Sequence, residues 1–131
     1  MIAVDTNVVV RLLVGDDPEQ AAQAQALFAA EQIFISDTVV LETAWVLDYS
    51  YGLDGATIVA ALRRLFGLAN VHLRDAAEMG LALEWRDLGL DFADALHLVQ
   101  AARCTHLVTF DRRFAARAVA IGGPRVELLE R

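Results

Sequence analysis

Four carboxylates stand in this sequence where a charged group is costly. Asp5 closes the apolar run Ile2-Ala3-Val4, and Asp111 closes Leu107-Val108-Thr109-Phe110. Glu42 lies inside Val39-Val40-Leu41-Glu42-Thr43-Ala44-Trp45-Val46-Leu47, with Val39, Trp45 and Val46 one turn away on the same stripe. Asp94 stands in Phe92-Ala93-Asp94-Ala95-Leu96. An ionised carboxylate is almost never buried without a partner, and basic neighbours are too few to pair all four. Open α/β sheets bind ligands beyond the carboxyl ends of their strands. Asp5 and Asp111 are expected at that edge if their strands are parallel neighbours, with Asp94 and Glu42 reaching it from helices. Carboxylates gathered there repel one another, and a hard divalent cation relieves the repulsion. Oxygen-only ligands suit Mg²⁺ or Mn²⁺ rather than zinc.

Each position also has a plain structural explanation. Asp5, ahead of Thr6-Asn7, fits an N-cap at a strand-to-helix turn, and Asp111 fits the same role for the helix after it. Asp94, three residues after the expected cap Asp91, suits the positive end of a helix. A buried Glu–Arg pair would account for Glu42. The coincidence of four such positions favours the acidic metal centre. Other candidates are weaker. His97 reads as a core histidine, His72 and His106 as structural residues at strand starts, and Cys104-Thr105-His106 as too short for a zinc site. No Gly-x-Ser-x-Gly, P-loop or Gly-x-Gly-x-x-Gly motif is present.

The elements that must position these groups alternate. Apolar runs predict strands over 2–4, 32–36, 71–73, 106–110 and 126–129. Helices are predicted over 8–14, 18–30 behind the cap Asp17-Pro18, 38–50 behind Asp37, and 55–65 behind Asp54. Others follow over 76–88 behind Asp75, 92–103 behind Asp91, and 111–118. Gly52, Gly67 and Gly89 act as stops. Strands alternating with helices predict a single α/β domain with a central parallel sheet of about four to five strands flanked by helices. At 131 residues and 56% hydrophobic content, the chain has ample material for one core. The stretches 38–50 and 56–65 are apolar around most of their circumference. Some of Trp45, Val46, Tyr49 and Leu62 is therefore expected between two copies across a two-fold axis.

No stretch reaches the ~18 consecutive apolar residues of a membrane span, and the N-terminal residues lack the basic start of a signal peptide. The single cysteine, Cys104, fits a reducing interior, so a cytoplasmic protein is expected. Eleven basic residues face eighteen acidic ones, giving −7, and every basic residue is arginine. Without lysine, Schiff-base chemistry and a P-loop are excluded. A phosphoryl-transfer receiver domain also needs a lysine. A haloacid-dehalogenase-type phosphatase needs an aspartate where Asn7 stands.

Four segments in this order and spacing resemble the PIN-domain proteins, and among them the VapC-type toxins of toxin–antitoxin pairs. They are Ala3-Val4-Asp5-Thr6-Asn7-Val8, Ser36-Asp37-Thr38-Val39-Val40-Leu41-Glu42, Phe92-Ala93-Asp94-Ala95-Leu96 and Val108-Thr109-Phe110-Asp111-Arg112-Arg113-Phe114. The resemblance spans essentially the whole chain. It implies a PIN-like fold and an acidic quartet of Asp5, Glu42, Asp94 and Asp111. Asp5 and Asp94 would hold the main metal, with Asp111 and Glu42 completing the site. Thr6, Asn7 and Thr109 would be supporting polar residues, and Asp91 is an extra carboxylate beside them. The implied activity is Mg²⁺- or Mn²⁺-dependent endonucleolytic cleavage of RNA, with an antitoxin protein as partner. Arg112, Arg113 and Arg117 after Asp111, with Arg11 beyond Asp5, form a local cluster that would guide a phosphate backbone despite the global charge, or dock an acidic partner. An RNA-processing nuclease without an antitoxin and a non-catalytic binding module are the rival readings.

Overall fold

Brief apolar runs and firmly capped helices alternate along residues 1–130, which the computed structural model describes. Two compact units divide between Ala76 and Ala77. The first opens with strand β1 (Ile2–Ala3), helix α1 (Thr6–Val14) and helix α2 (Pro18–Ala30). Strand β2 (Ile33–Ile35), helices α3 (Asp37–Tyr49) and α4 (Gly55–Phe66), and strand β3 (Val71–Leu73) follow. The strands pair in parallel in the order β1-β2-β3, with Ile2 beside Ile33 and Ile33 beside Val71. As the central strand, β2 is the driest: Ile33 and Ile35 are essentially fully buried.

The second unit contains helix α5 (Ala76–Asp87), which opens at the division, and helix α6 (Phe92–Gln100). It continues with strand β4 (Leu107–Thr109), helix α7 (Arg112–Ala120) and strand β5 (Val126–Leu128). β4 and β5 form a separate parallel pair, Leu107 beside Val126 and Thr109 beside Leu128. The expected sheet of four to five parallel strands is therefore divided into a sheet of three and a sheet of two. The physical reason lies in strand length. Strands of two or three residues offer only one or two ladder bonds per edge, and β4 makes its own to β5.

Helix boundaries follow local chemistry closely. Asp17 accepts from the Gln20 N–H ahead of Pro18, and Asp54 accepts from the Thr57 N–H. The cap of α3 is Ser36, whose hydroxyl accepts from the Val39 N–H, rather than the expected Asp37. Asp37 instead lies in the first turn, its carboxylate 2.7 Å from Arg74 Nε.

α3 buries Val40, Thr43, Ala44 and Leu47, a stripe at i, i+3, i+4, i+7. Glu42 is off that stripe and exposed, so its expected burial is incorrect. The face it shares carries Trp45 and Tyr49, both exposed, with rings stacked 4.8 Å apart. Leu62, expected among the excess apolar surface, is buried within its own unit's core side of α4. Among the described residues no helix is long and apolar enough to cross a membrane.

Thr43 is fully buried, and its hydroxyl has no hydrogen-bond partner among the described residues. Replacing it with valine removes an unpaired polar group at nearly constant shape. Thr43→Val should raise the unfolding free energy by about 1 kcal/mol. Urea denaturation checks this, and a loss of similar size would mean that the hydroxyl is bonded.

Candidate functional site

In the second unit the turn after α5 sets up an acidic cavity. Gly89 takes φ 112°, a conformation that strains any side chain, and the Leu90 N–H returns to Trp85 O at 3.1 Å. Leu90 is then buried as an anchor, and Asp91 follows as the cap of α6, its Oδ2 3.4 Å from the Asp94 N–H nitrogen. Asp94 thereby falls in the first turn of α6. Beyond β4, Thr109 Oγ1 accepts from the Asp111 N–H at 3.0 Å, and Asp111 Oδ1 caps α7 by accepting from Phe114 N. Arg117 Nη1 donates to Gly89 O at 2.8 Å, tying α7 to the turn. Asp91, Asp94, Asp111, Arg113 and Arg117 line one cavity of about 190 Å³, walled by Leu90 and Phe114.

Asp94 is half-buried there, and its carboxyl titrates above the ordinary aspartate range. Burial is the largest cause, followed by the negative charges of Asp91 and Asp111; His97 acts in the opposite sense. His97 itself is exposed rather than a core residue. The cavity thus holds a carboxylate whose ionised form lacks sufficient positive charge, despite the two arginines on its rim.

In the first unit, Asp5 Oδ1 caps α1 by accepting from the Val8 N–H at 3.2 Å. Thr6 is buried, and its hydroxyl donates to Glu42 Oε1, which joins the start of α1 to α3. Among the described residues no arginine pairs with Glu42, and this hydroxyl contact stands in place of the Glu–Arg explanation. Asp5 and Glu42 are both exposed, and only Asp94 of the four carboxylates is even half-buried. Asp5, Asn7 and Arg11 also line a groove of about 350 Å³ between α1 and α2. Arg11 reaches Asp16 at 3.0 Å, Gln20 at 2.7 Å and Tyr51 at 3.1 Å, and the Tyr51 hydroxyl donates to Asp16 at 2.8 Å. Gln20, Gln23 and Tyr51 escaped the sequence reading. The i, i+3 spacing of the two glutamines behind the Asp17-Pro18 cap was their only signal.

Residues 2–120 match the PIN domain family. The chain belongs to that family. Among solved structures it is similar to Mycobacterium tuberculosis VapC20, described as a sarcin-ricin loop cleaving toxin. The identity is 24%, covering 97% of this chain and 99% of that one, with a TM-score of 0.43. No curated protein matches the sequence.

In this PIN domain the arginines expected to form one cluster have different surroundings. Arg113 and Arg117 line the acidic cavity, whereas Arg112 lies 3.5 Å from Glu130, and Arg11 is committed to Asp16 in the first unit. Among the described residues, no group of three or more carboxylate, histidine or cysteine side chains is placed to hold a metal ion. The donor chemistry nonetheless fits Mg²⁺ or Mn²⁺, which take one or two carboxylates and complete their shell with water and substrate phosphate.

The shift at Asp94 has a definite sign. Its folded-state pKa lies above the unfolded value of about 3.9, so folding binds a proton in that window and stability falls as pH rises through it. Asp94→Asn lacks this penalty. In chelator, the mutant should melt above the wild type near neutral pH, with the gap closing towards about pH 4. Thermal melting across that range checks it, and a gap independent of pH would contradict the electrostatic origin.

Proposed function

We infer that this PIN domain protein is a divalent-metal-dependent endoribonuclease and the toxin of a toxin–antitoxin pair. The observation that carries the reading is the acidic cavity with arginines at its rim, in a chain of this family. Asp94 and Asp111 are assigned to hold Mg²⁺ or Mn²⁺ in the second unit. Asp5 and Glu42 of the first unit belong to the same acidic set by their match to the family's sequence pattern. When bound, the cation supplies Lewis-acid chemistry, polarising a phosphate and acidifying water.

The remaining work falls to the chain's own side chains. Arg113 and Arg117 offer charge-assisted hydrogen bonds to phosphate oxygens at the rim of the acidic cavity. Thr6 engages Glu42 Oε1 and so fixes its carboxylate, leaving Oε2 to orient water and accept its proton. Asp91 adds negative charge beside Asp94 and holds the start of α6. Asn7 and Thr109 are supporting polar groups: Asn7 beside Asp5, and Thr109 through its bond to the Asp111 N–H. The toxin assignment and its antitoxin partner rest on the sequence pattern.

Single-stranded RNA should be cut internally with Mg²⁺ or Mn²⁺ and left intact in chelator. Asp94→Asn and Asp5→Asn should each slow cleavage by about 100-fold or more. The double variant should be little slower than either, since the groups act as a unit. Full activity in chelator, or in Asp94→Asn, would refute the metal assignment. Growth arrest on expression, relieved by a small protein encoded beside the gene, checks the toxin role.

The stacked, exposed Trp45–Tyr49 face of α3 is assigned to self-association. Light scattering should report about 29 kDa, twice the 14.3 kDa chain, and a Trp45→Glu, Tyr49→Glu variant should return the monomer. A monomeric wild type would remove the dimer and leave the nuclease assignment untouched.

A further inference from the structure

The groove between α1 and α2 has a lining that the acidic centre does not explain. α1 contributes Val8 and Arg11 to it, and α2 contributes Gln20, Gln23, Ala24 and Leu27, so apolar and polar groups line it together. A guanidinium has five N–H bonds. On Arg11 the Nε–H goes to Gln20 Oε1, and Nη1 serves Asp16 and Tyr51. The two N–H bonds of Nη2 have no partner among the described residues. Asp16 and Tyr51 also bond each other, so the planar group is clamped before any ligand arrives. Gln20 spends its carbonyl oxygen on Arg11 and keeps its amide N–H₂ for another acceptor. Gln23, one turn further along the same helix, is exposed and makes no side-chain bond among the described residues, with both its amide oxygen and nitrogen available.

A fixed cationic donor, apolar side chains and amides of both polarities together match a nucleotide. We propose that this groove binds one nucleotide of the RNA substrate. Its phosphate accepts from Arg11 Nη2, its base lies against Ala24 and Leu27, and the base edge is read by Gln20 and Gln23. The volume of about 350 Å³ is at the small end of ligand pockets, which suits a single unit of a longer chain. Asp5 lines the same groove, so the nucleotide held there adjoins a residue of the acidic set. Arg11 shares its charge with Asp16 at 3.0 Å, so it acts as a short-range donor rather than a long-range attractor. The site rests on the nuclease reading above and adds to it a source of base preference.

Binding of fluorescently labelled single-stranded RNA hexamers in chelator, where no cleavage occurs, tests the groove separately from catalysis. Gln23 makes no side-chain bond among the described residues, so Gln23→Ala should leave the melting temperature unchanged, weaken binding three- to tenfold and flatten the preference among hexamers of different sequence. Arg11→Gln should weaken all sequences alike and lower the salt slope by up to about 0.7. Wild-type affinity and preference in Gln23→Ala, with an unchanged salt slope in Arg11→Gln, would overturn the groove and leave the nuclease reading intact. Failure of the wild type to bind or cut RNA would overturn both. If the variants lose affinity for a polyglutamate peptide but not for RNA, the groove takes a protein partner's carboxylates and the proposal fails.

Discussion

Asp94 carries its negative charge half out of water, with Asp91 and Asp111 lining the same cavity. Burial weakens its solvation, and the two neighbouring charges add repulsion in a medium that screens poorly. Water alone does not restore what the cavity removes. Arg113 and Arg117 offset part of the deficit from the rim, but Arg117 is already donating to Gly89 O. The arrangement costs stability when ionised, and such a cost is characteristic of sites shaped for a ligand rather than for folding. Everything proposed for the chemistry follows from this unmet demand for positive charge.

The same carboxylates also build the fold. Asp5, Asp91 and Asp111 each commit one oxygen to the N–H groups that open α1, α6 and α7. A capping bond restrains the side chain and engages one oxygen, so the second is not used by that bond. The structural and the chemical explanations of these aspartates are therefore compatible. A cap is a convenient way to hold a carboxylate still. Glu42 is held differently, through the buried Thr6 hydroxyl, and sits on an exposed helix face.

Much of this was legible in residue order because capping chemistry is local. Asp17-Pro18, Asp54, Asp91 and Asp111 each announced a helix that begins where they stand. Ser36 and Asp37 are adjacent and both able to cap, so their order could not be read from type alone. Glu42 is exposed against expectation because α3 is apolar on several faces, which hides in the sequence the stripe Val40, Thr43, Ala44, Leu47 that faces inward. The division of the strands into two sheets was illegible too, since runs of two or three residues carry no register information. Gln20 and Gln23 carry no signal in the sequence beyond their place in the helix over 18–30. Only the packing of α1 against α2 turns them towards a groove with Arg11.

If Asp94 is a carboxylate short of a cation, its own titration reports on that directly. Carbon-detected NMR of the aspartate side-chain carboxyls, in chelator and then with millimolar Mg²⁺, would follow it residue by residue. The expected result is that Asp94 titrates above the ordinary aspartate range without metal, and that Mg²⁺ lowers its pKa by stabilising the ionised form. An Asp94 that titrates in the ordinary range and ignores Mg²⁺ would contradict it.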